Sequence, residues 1–201
     1  MNNNEMKITT VDPSAIGVFG LAMVTLVASS QKMGWTSGVA YVIPWAIFLG
    51  AFAQIFAGLS DSKRNNLFGT TVFLGYGLFW LGVAMSWMIG SGVFGETIMT
   101  NTDSTQLGFA FIGYFIFSVV ATIASLNTNK ALFIDFILID TLFLGLSLST
   151  VWGIEFGHTL AAYSEFAISI LSFYIFAANF LNGHYGKIIL PVGKPFNVFT
   201  K

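Results

Sequence analysis

Apolar residues run along this chain in long blocks separated by short polar stretches. Six blocks stand out, at residues 14–30, 39–59, 67–89, 107–125, 131–151 and 159–181. A helix needs about 20 predominantly apolar residues to cross the hydrocarbon core of a bilayer. A buried helix of a water-soluble domain can imitate one such block, but not six in succession. The pattern therefore predicts an all-α membrane protein with six transmembrane helices per protomer. The intervening segments read as connections. Asp12-Pro13 offers a capping side chain and then a proline at the first helical position, where its missing N–H costs nothing. Gln31 to Gly38 is a polar turn, Ser60 to Asn66 ("SDSKRNN") a charged loop, and Gly90 to Gln106 the longest connection, carrying Glu96 and Asp103. Leu126 to Lys130 and Trp152 to His158 are short. Residues 1–13 are expected to form an N-terminal tail, retained because it lacks a small-residue cleavage site, and residues 182–201 a C-terminal tail. No connection is long enough to house a soluble domain, so function is expected within the membrane.

Composition sharpens this picture. Of 201 residues, 55% are hydrophobic and only 8% charged, against about a quarter charged in soluble domains. A net charge of −1 provides no basic field for nucleic acid. The absence of cysteine excludes thiol catalysis, iron–sulfur clusters and Cys-based zinc sites, and His158 and His184 stand too far apart to argue for a metal. No GxxxxGK[ST] or HExxH motif occurs, and "GYG" at Gly75 to Gly77 lacks the further glycine of a dinucleotide fingerprint. The chain is not expected to be an enzyme or to need a cofactor.

The cations orient the six spans. Lys7, Lys63, Arg64, Lys130, Lys187, Lys194 and Lys201 fall on the side that carries both tails, and only Lys32 falls on the other. The positive-inside rule then places both termini in the cytoplasm and the protein in the cell membrane. Glycines concentrate inside the spans, including Gly17, Gly20, Gly50, Gly58, Gly69 and Gly75. They are expected mainly to let helices approach closely, because apolar burial gives little drive when lipid is equally apolar.

Ionisable residues within the spans are few, and polar groups at that depth usually face the bundle interior or an aqueous path. Asp140 lies about 14 Å along the fifth span at 1.5 Å per residue. Two readings of it stand: a proton-linked or path-lining carboxyl, or a protonated aspartate bonded to a neighbouring helix. Asp135, about one turn in, and Glu165, under two turns in, are expected to reach interfacial water. No Lys or Arg lies deep within a span, so an anion would be handled by hydroxyls, amides and helix N-termini, or would cross as the neutral acid. Thr25, Gln54, Tyr76 and Asn179 are the polar candidates for that task.

Several segments carry a resemblance. "DPSAIGVFG", Asp12 to Gly20, resembles the N-P-A-P-L-G-L signature that opens the first helix of the acetate uptake transporter family, which includes the bacterial succinate–acetate permeases. Gly50 to Leu81 ("GAFAQIFAGLSDSKRNNLFGTTVFLGYGLFWL") and Tyr174 to Gly193 ("YIFAANFLNGHYGKIILPVG") extend it. The resemblance implies a six-helix protomer, assembled as a homohexamer in the bilayer, with a path for acetate through each protomer. Members are described as proton-linked symporters of acetate and succinate and as anion channels. It further implies a constriction formed by Leu21, Tyr76 and Ile139, with Asp12, Pro13, Ser14, Ala15, Ile16, Gly17 and Val18 as the motif at the entrance. Thr25, Gln54 and Asn179 would then guide the solute. The chain departs from the family pattern in Asp12 for Asn, Ala15 for the second Pro and Leu21 for an aromatic. Asp140 stands beside the constriction where a neutral residue is expected, and Asn179 where permease relatives carry an acid. Ammonia or another small neutral solute is the alternative cargo, and a non-transporting membrane scaffold the alternative class.

Overall fold

Six long helices carry almost the whole of the computed structural model, which describes residues 11–199. They are α1 (Ser14–Lys32), α2 (Val42–Ser62), α3 (Leu67–Gly90), α4 (Ser104–Ser125), α5 (Lys130–Trp152) and α6 (Glu155–Tyr185), and all six are long and apolar enough to cross a membrane. No strand occurs among the described residues. The protein is an all-α, multi-pass membrane protein.

Helix ends depart from the expected limits for local reasons. Residues 39–41 form a turn rather than the start of α2, with Val39 O accepting from the N–H groups of Val42 and Ile43. Pro44 then sits in the first turn of α2, where no helical N–H is lost. At the other end α2 runs on to Ser62. α4 begins at Ser104 because Asp103 accepts a hydrogen bond from Thr105 N–H, and α5 at Lys130 because Asn129 accepts one from Leu132 N–H. α6, at 31 residues, overshoots its apolar core by four residues at each end. Polar residues there, such as His158 and Asn182, do not break a helix. What bounds it are Gly153 and Gly186, both at positive φ. The long connection after α3 holds one short helical segment, Glu96–Thr100.

The helices close into a ring in the order α1, α2, α3, α4, α5, α6 and back to α1. Small residues set the closest approach. A Cβ on Gly145 of α5 would lie 2.6 Å from Gly157 O of α6, and one on Gly157 would lie 2.7 Å from Gly145 O. The α3–α4 seam is instead bridged by side chains: Tyr114 OH donates to Gly75 O at 3.0 Å, and the Phe117 ring covers Gly75. Phe48, Phe52 and Phe56, spaced by four along α2, are each more than half exposed. An outward apolar stripe of that kind needs lipid or another apolar surface around it.

The chain after α6 folds back along the α4–α5 connection. Ala131 N–H donates to Val192 O, Phe196 N–H to Leu126 O, and Asn127 Nδ2 to Phe199 O. Tyr174 OH donates to Pro191 O, and Phe196 packs edge-on against Phe133. The stretch after α6 is therefore fastened to the end of the bundle from which α1, α3 and α5 start.

Candidate functional site

A cavity of about 420 Å³ opens at that same end of the bundle. Its wall repeats at helical spacing, which shows how one face of each helix is used. α1 supplies Ser14, Val18 and Leu21; α3 supplies Gly69, Val72 and Tyr76; α5 supplies Leu132, Asp135, Phe136 and Ile139. α2 contributes Gln54 and Asp61, two turns apart, and α6 contributes Ile175 and Asn179, one turn apart. Asn66, Asn127, Thr128 and Asn129 line the part nearest the connections.

The deeper part carries Leu21, Tyr76 and Ile139. Counted from the start of its helix, each lies seven to nine residues in, roughly 10–14 Å at 1.5 Å per residue. Leu21 packs against the buried cluster that contains Tyr76 and Ile139. The phenol is held firmly: Tyr76 OH donates to Ser118 Oγ at 3.0 Å, and the ring contacts Phe117, Phe136 and Phe143. Two aliphatic side chains and an aromatic face offer water no partner.

Electrostatics near the opening come from dipoles as much as from charges. The helices α1, α3 and α5 all begin here, with Ser14, Asn66 and Asn129 on the wall. Their N-terminal ends carry partial positive charge and favour an anion. Asn66 accepts from Gly69 N–H at 3.2 Å. At the rim, Arg64 lies 3.2 Å from Asp12 and 3.6 Å from Asp61. Partial burial works to raise the Asp12 carboxyl, but hydrogen bonding to Ser14 and the Arg64 guanidinium outweigh it and hold its pKa below the ordinary aspartate value. Asp12 also accepts from Ser14 N–H at 2.9 Å, but in a turn before the helix: α1 starts at Ser14 with Pro13 as its N-cap, one residue later than the expected cap at Asp12 and first helical position at Pro13.

The motif Asp12 to Val18 divides by face. Ser14 and Val18 line the cavity, and Asp12 forms the rim pair. Pro13 and Gly17 are buried, and a Cβ on Gly17 would press into the Phe73 ring and Ala57. Ala15 is half-buried and Ile16 is exposed. Gln54 and Asn179 lie on the wall, and Gln54 Nε2 donates to Gly50 O at 2.8 Å within α2. This follows a π-helical stretch, Ala46–Ala53, and such stretches shift the register of every later side chain. Thr25 is off the cavity wall: it is buried, and its hydroxyl donates to Leu21 O at 2.7 Å. Asp140 is also off the wall, and its Oδ2 accepts from Thr122 Oγ1 of α4 at 2.7 Å.

Two acids behave differently from the expectation that they meet interfacial water. Glu165 is 1% exposed, and its Oε2 lies 2.8 Å from Lys32 Nζ in a buried ion pair between α6 and α1. Asp135 is 1% exposed, and its Oδ2 accepts from Ser172 Oγ of α6 at 2.9 Å. Asp61, read from the sequence as part of a loop, is fully buried at the end of α2, where its carboxyl fills the space a side chain at Gly69 would need. Spacing held the signal for two of these: Asp135 precedes Ile139 by four residues, and Asp61 follows Gln54 by seven, so each shares a face with a residue already singled out.

Comparisons with known proteins bear on the family and the fold. The chain is 27% identical over 185 residues to the "Succinate-acetate/proton symporter SatP" of Escherichia coli K12, covering 91% of this chain and 95% of that one. It is 29% identical over 143 residues to "Acetate permease A" of Emericella nidulans, covering 66% of this chain and 47% of the permease. Its fold is similar to the solved structure of the bacterial acetate channel SatP with a TM-score of 0.85 at 24% identity, over 92% of this chain and 100% of that one. With residues 2–194 matching its sequence profile throughout the six-helix ring, the protein belongs to the GPR1/FUN34/yaaH family.

Proposed function

We propose that this chain is a membrane transporter that passes acetate and similar short carboxylates, succinate among them, as a proton-linked symporter or an anion channel. The observation that carries the reading is the cavity itself. Its wall carries the N-terminal ends of three helices with amide and hydroxyl groups, and also Leu21, Tyr76 and Ile139, which in this reading form the constriction. Helix ends and amides attract a carboxylate group, whereas an aliphatic and aromatic ring admits a methyl group and holds back hydrated ions. Gln54 and Asn179 would guide the solute along the wall, and Ser14 and Val18 would form its approach. In this reading Thr25 acts through the shape of α1 beside Leu21, and Asp140 braces α5 against α4. The named activities of the relatives add support, since they are transport functions and not enzymatic ones.

The same reading places both termini in the cytoplasm, from the lysines and arginine at that end. It takes the working unit in the cell membrane to be a homohexamer, from the family resemblance.

Labelled acetate uptake into proteoliposomes tests the proposal. The purified chain should raise uptake well above protein-free vesicles. Leu21→Trp, which fills the ring, should lower it at least tenfold, and Tyr76→Ala should raise the flux of succinate relative to acetate. Background flux in the unsubstituted chain, unaltered by Tyr76→Ala, would reject the reading. Competition by ammonium rather than by acetate or succinate would reassign the cargo.

A further inference from the structure

Two buried acids on the cavity wall carry an oxygen without a hydrogen-bond partner: Asp61, 3.6 Å from Arg64 at the rim, and Asp135, deeper along α5. The Asp135 side chain is buried, Ser172 occupies Oδ2, and Oδ1 has no hydrogen-bond partner. Other donors near the ring are already engaged, with Tyr76 OH given to Ser118 and a Gln54 N–H given to Gly50 O. Asp135 lies one helical turn before Ile139, on the approach to the apolar ring.

Among the described residues, the charged groups around it leave its negative charge uncompensated. Across the cavity α2 brings Asp61 and α3 brings Tyr76, neither of them a cation. α6 faces it with Ser172, and α1 and α4 bring no ionisable group to the cavity wall. Asp140, farther along α5, is turned to Thr122 of α4. The cations nearest in the chain and the fold are otherwise employed: Lys130 lies over the Phe196 ring, Arg64 pairs with Asp12 and Asp61, and Lys32 pairs with Glu165. A buried carboxylate without a cation is strongly disfavoured, and an unpaired buried polar atom needs a partner. A carboxylic acid has what an ionised one lacks, an O–H donor.

We infer that Asp135 is the proton-holding group of the pathway, presenting a protonated Oδ1 to the carboxylate of the solute one turn before the Leu21–Tyr76–Ile139 ring. This rests on the transport reading above and names the residue that makes the site select carboxylates. Charge balances simply. The solute arrives with one negative charge, a proton resides on Asp135, and the two share that proton in an O–H···O hydrogen bond of net charge −1. When the proton passes to the solute, a neutral acid crosses the apolar ring, and Asp135 is left ionised until a proton from the vestibule side replaces it. An ionised Asp135 would instead repel the next anion. Ser172 positions the carboxyl by donating to Oδ2.

Acetate uptake into proteoliposomes across pH 5.5 to 7.5, corrected for protein-free vesicles, tests the inference. The unsubstituted chain should show uptake rising about tenfold as pH falls. Asp135→Asn keeps an N–H donor to hold acetate but has no proton to pass on, so its uptake at pH 5.5 should fall at least tenfold, to a profile flat to within about twofold. Ser172→Ala should displace the midpoint of the profile without flattening it. Infrared difference spectra of the detergent-solubilised protein give a readout independent of flux: acetate should perturb a carboxylic C=O band that is missing in Asp135→Asn. An unchanged pH response in Asp135→Asn, or a flattened one in Asp140→Asn alone, overturns this inference while leaving the transport reading intact. An acetate-perturbed band that persists in Asp135→Asn overturns it as well. Background acetate flux in the unsubstituted chain overturns both.

Discussion

Buried charge is the rarest feature of this protein, and each instance has its own surroundings. Glu165 is neutralised by Lys32 at 2.8 Å, with the two side chains 2% and 15% exposed. Breaking such a pair leaves one charge desolvated and uncompensated, which costs about 3–5 kcal/mol, whereas replacing both partners by apolar groups of similar volume is often near neutral. Lys32→Met should therefore lower the thermal midpoint of the detergent-solubilised protein markedly, and Lys32→Met with Glu165→Leu should recover most of the loss. Equal losses in the single and double variants would show that packing of the lysine stem, and not its charge, is what holds α1 to α6. Asp140 accepts from Thr122 at one oxygen only, and Asp61, whose oxygens accept no hydrogen bond, lies at a helix end within 3.6 Å of Arg64. Depth along a span is readable from numbering alone. The partner is not, because Thr122 and Asp140 meet only once α4 and α5 pack.

At the scale of elements, close approach follows from small residues and the lining follows from periodicity. Gly145 and Gly157 let the α5 and α6 backbones come together, with each carbonyl oxygen occupying the space a side chain at the other would need. Backbone oxygens cannot rotate aside as a flexible side chain can. Gly145→Ala should therefore destabilise the protein by about 1–3 kcal/mol through overpacking, measured as a lowered thermal midpoint in detergent, whereas Gly113→Ala, which meets no neighbour within 4 Å, should not. Equal midpoints for the two substitutions would contradict the packing described for α5 and α6. The length of the apolar runs marked all six helices but misjudged the ends of α6, since hydropathy stops at the edge of the apolar run while the helix continues until a glycine at positive φ ends it. The faces of α1, α3 and α5 that line the cavity repeat at three and four residues, so a seed at Tyr76 or Ile139 extends by spacing to Val72 and Asp135. Without a seed the pattern is hidden, because a membrane helix is apolar on its outer face as well.

For the whole molecule, six crossings return the chain to the side on which it began. The α4–α5 connection and the stretch after α6 are hydrogen-bonded together at that end. Labelling single cysteines introduced at Asn4 and Lys201 in sealed vesicles should find both on one face, the cytoplasmic one. Labels on opposite faces would dismantle the topology and the vestibule together. The cavity opens at the same end, so solute reaching the ring from the cytoplasmic side would first meet the N-termini of α1, α3 and α5.

Lipid as the solvent, six crossings, and an even chain return with all of its cations but Lys32 at one end were legible in the sequence alone. They depend on average apolarity and on the length needed to span hydrocarbon, which are sums over residues and survive any packing. The residues of the proposed constriction could be named only by resemblance, and which acids stand on the cavity wall was decided by the tertiary structure. A helix of apolar residues carries no mark of which face turns inward. Only the rotation of α5, set by contacts such as Gly145 against Gly157, brought Asp135 to the cavity and turned Asp140 away from it.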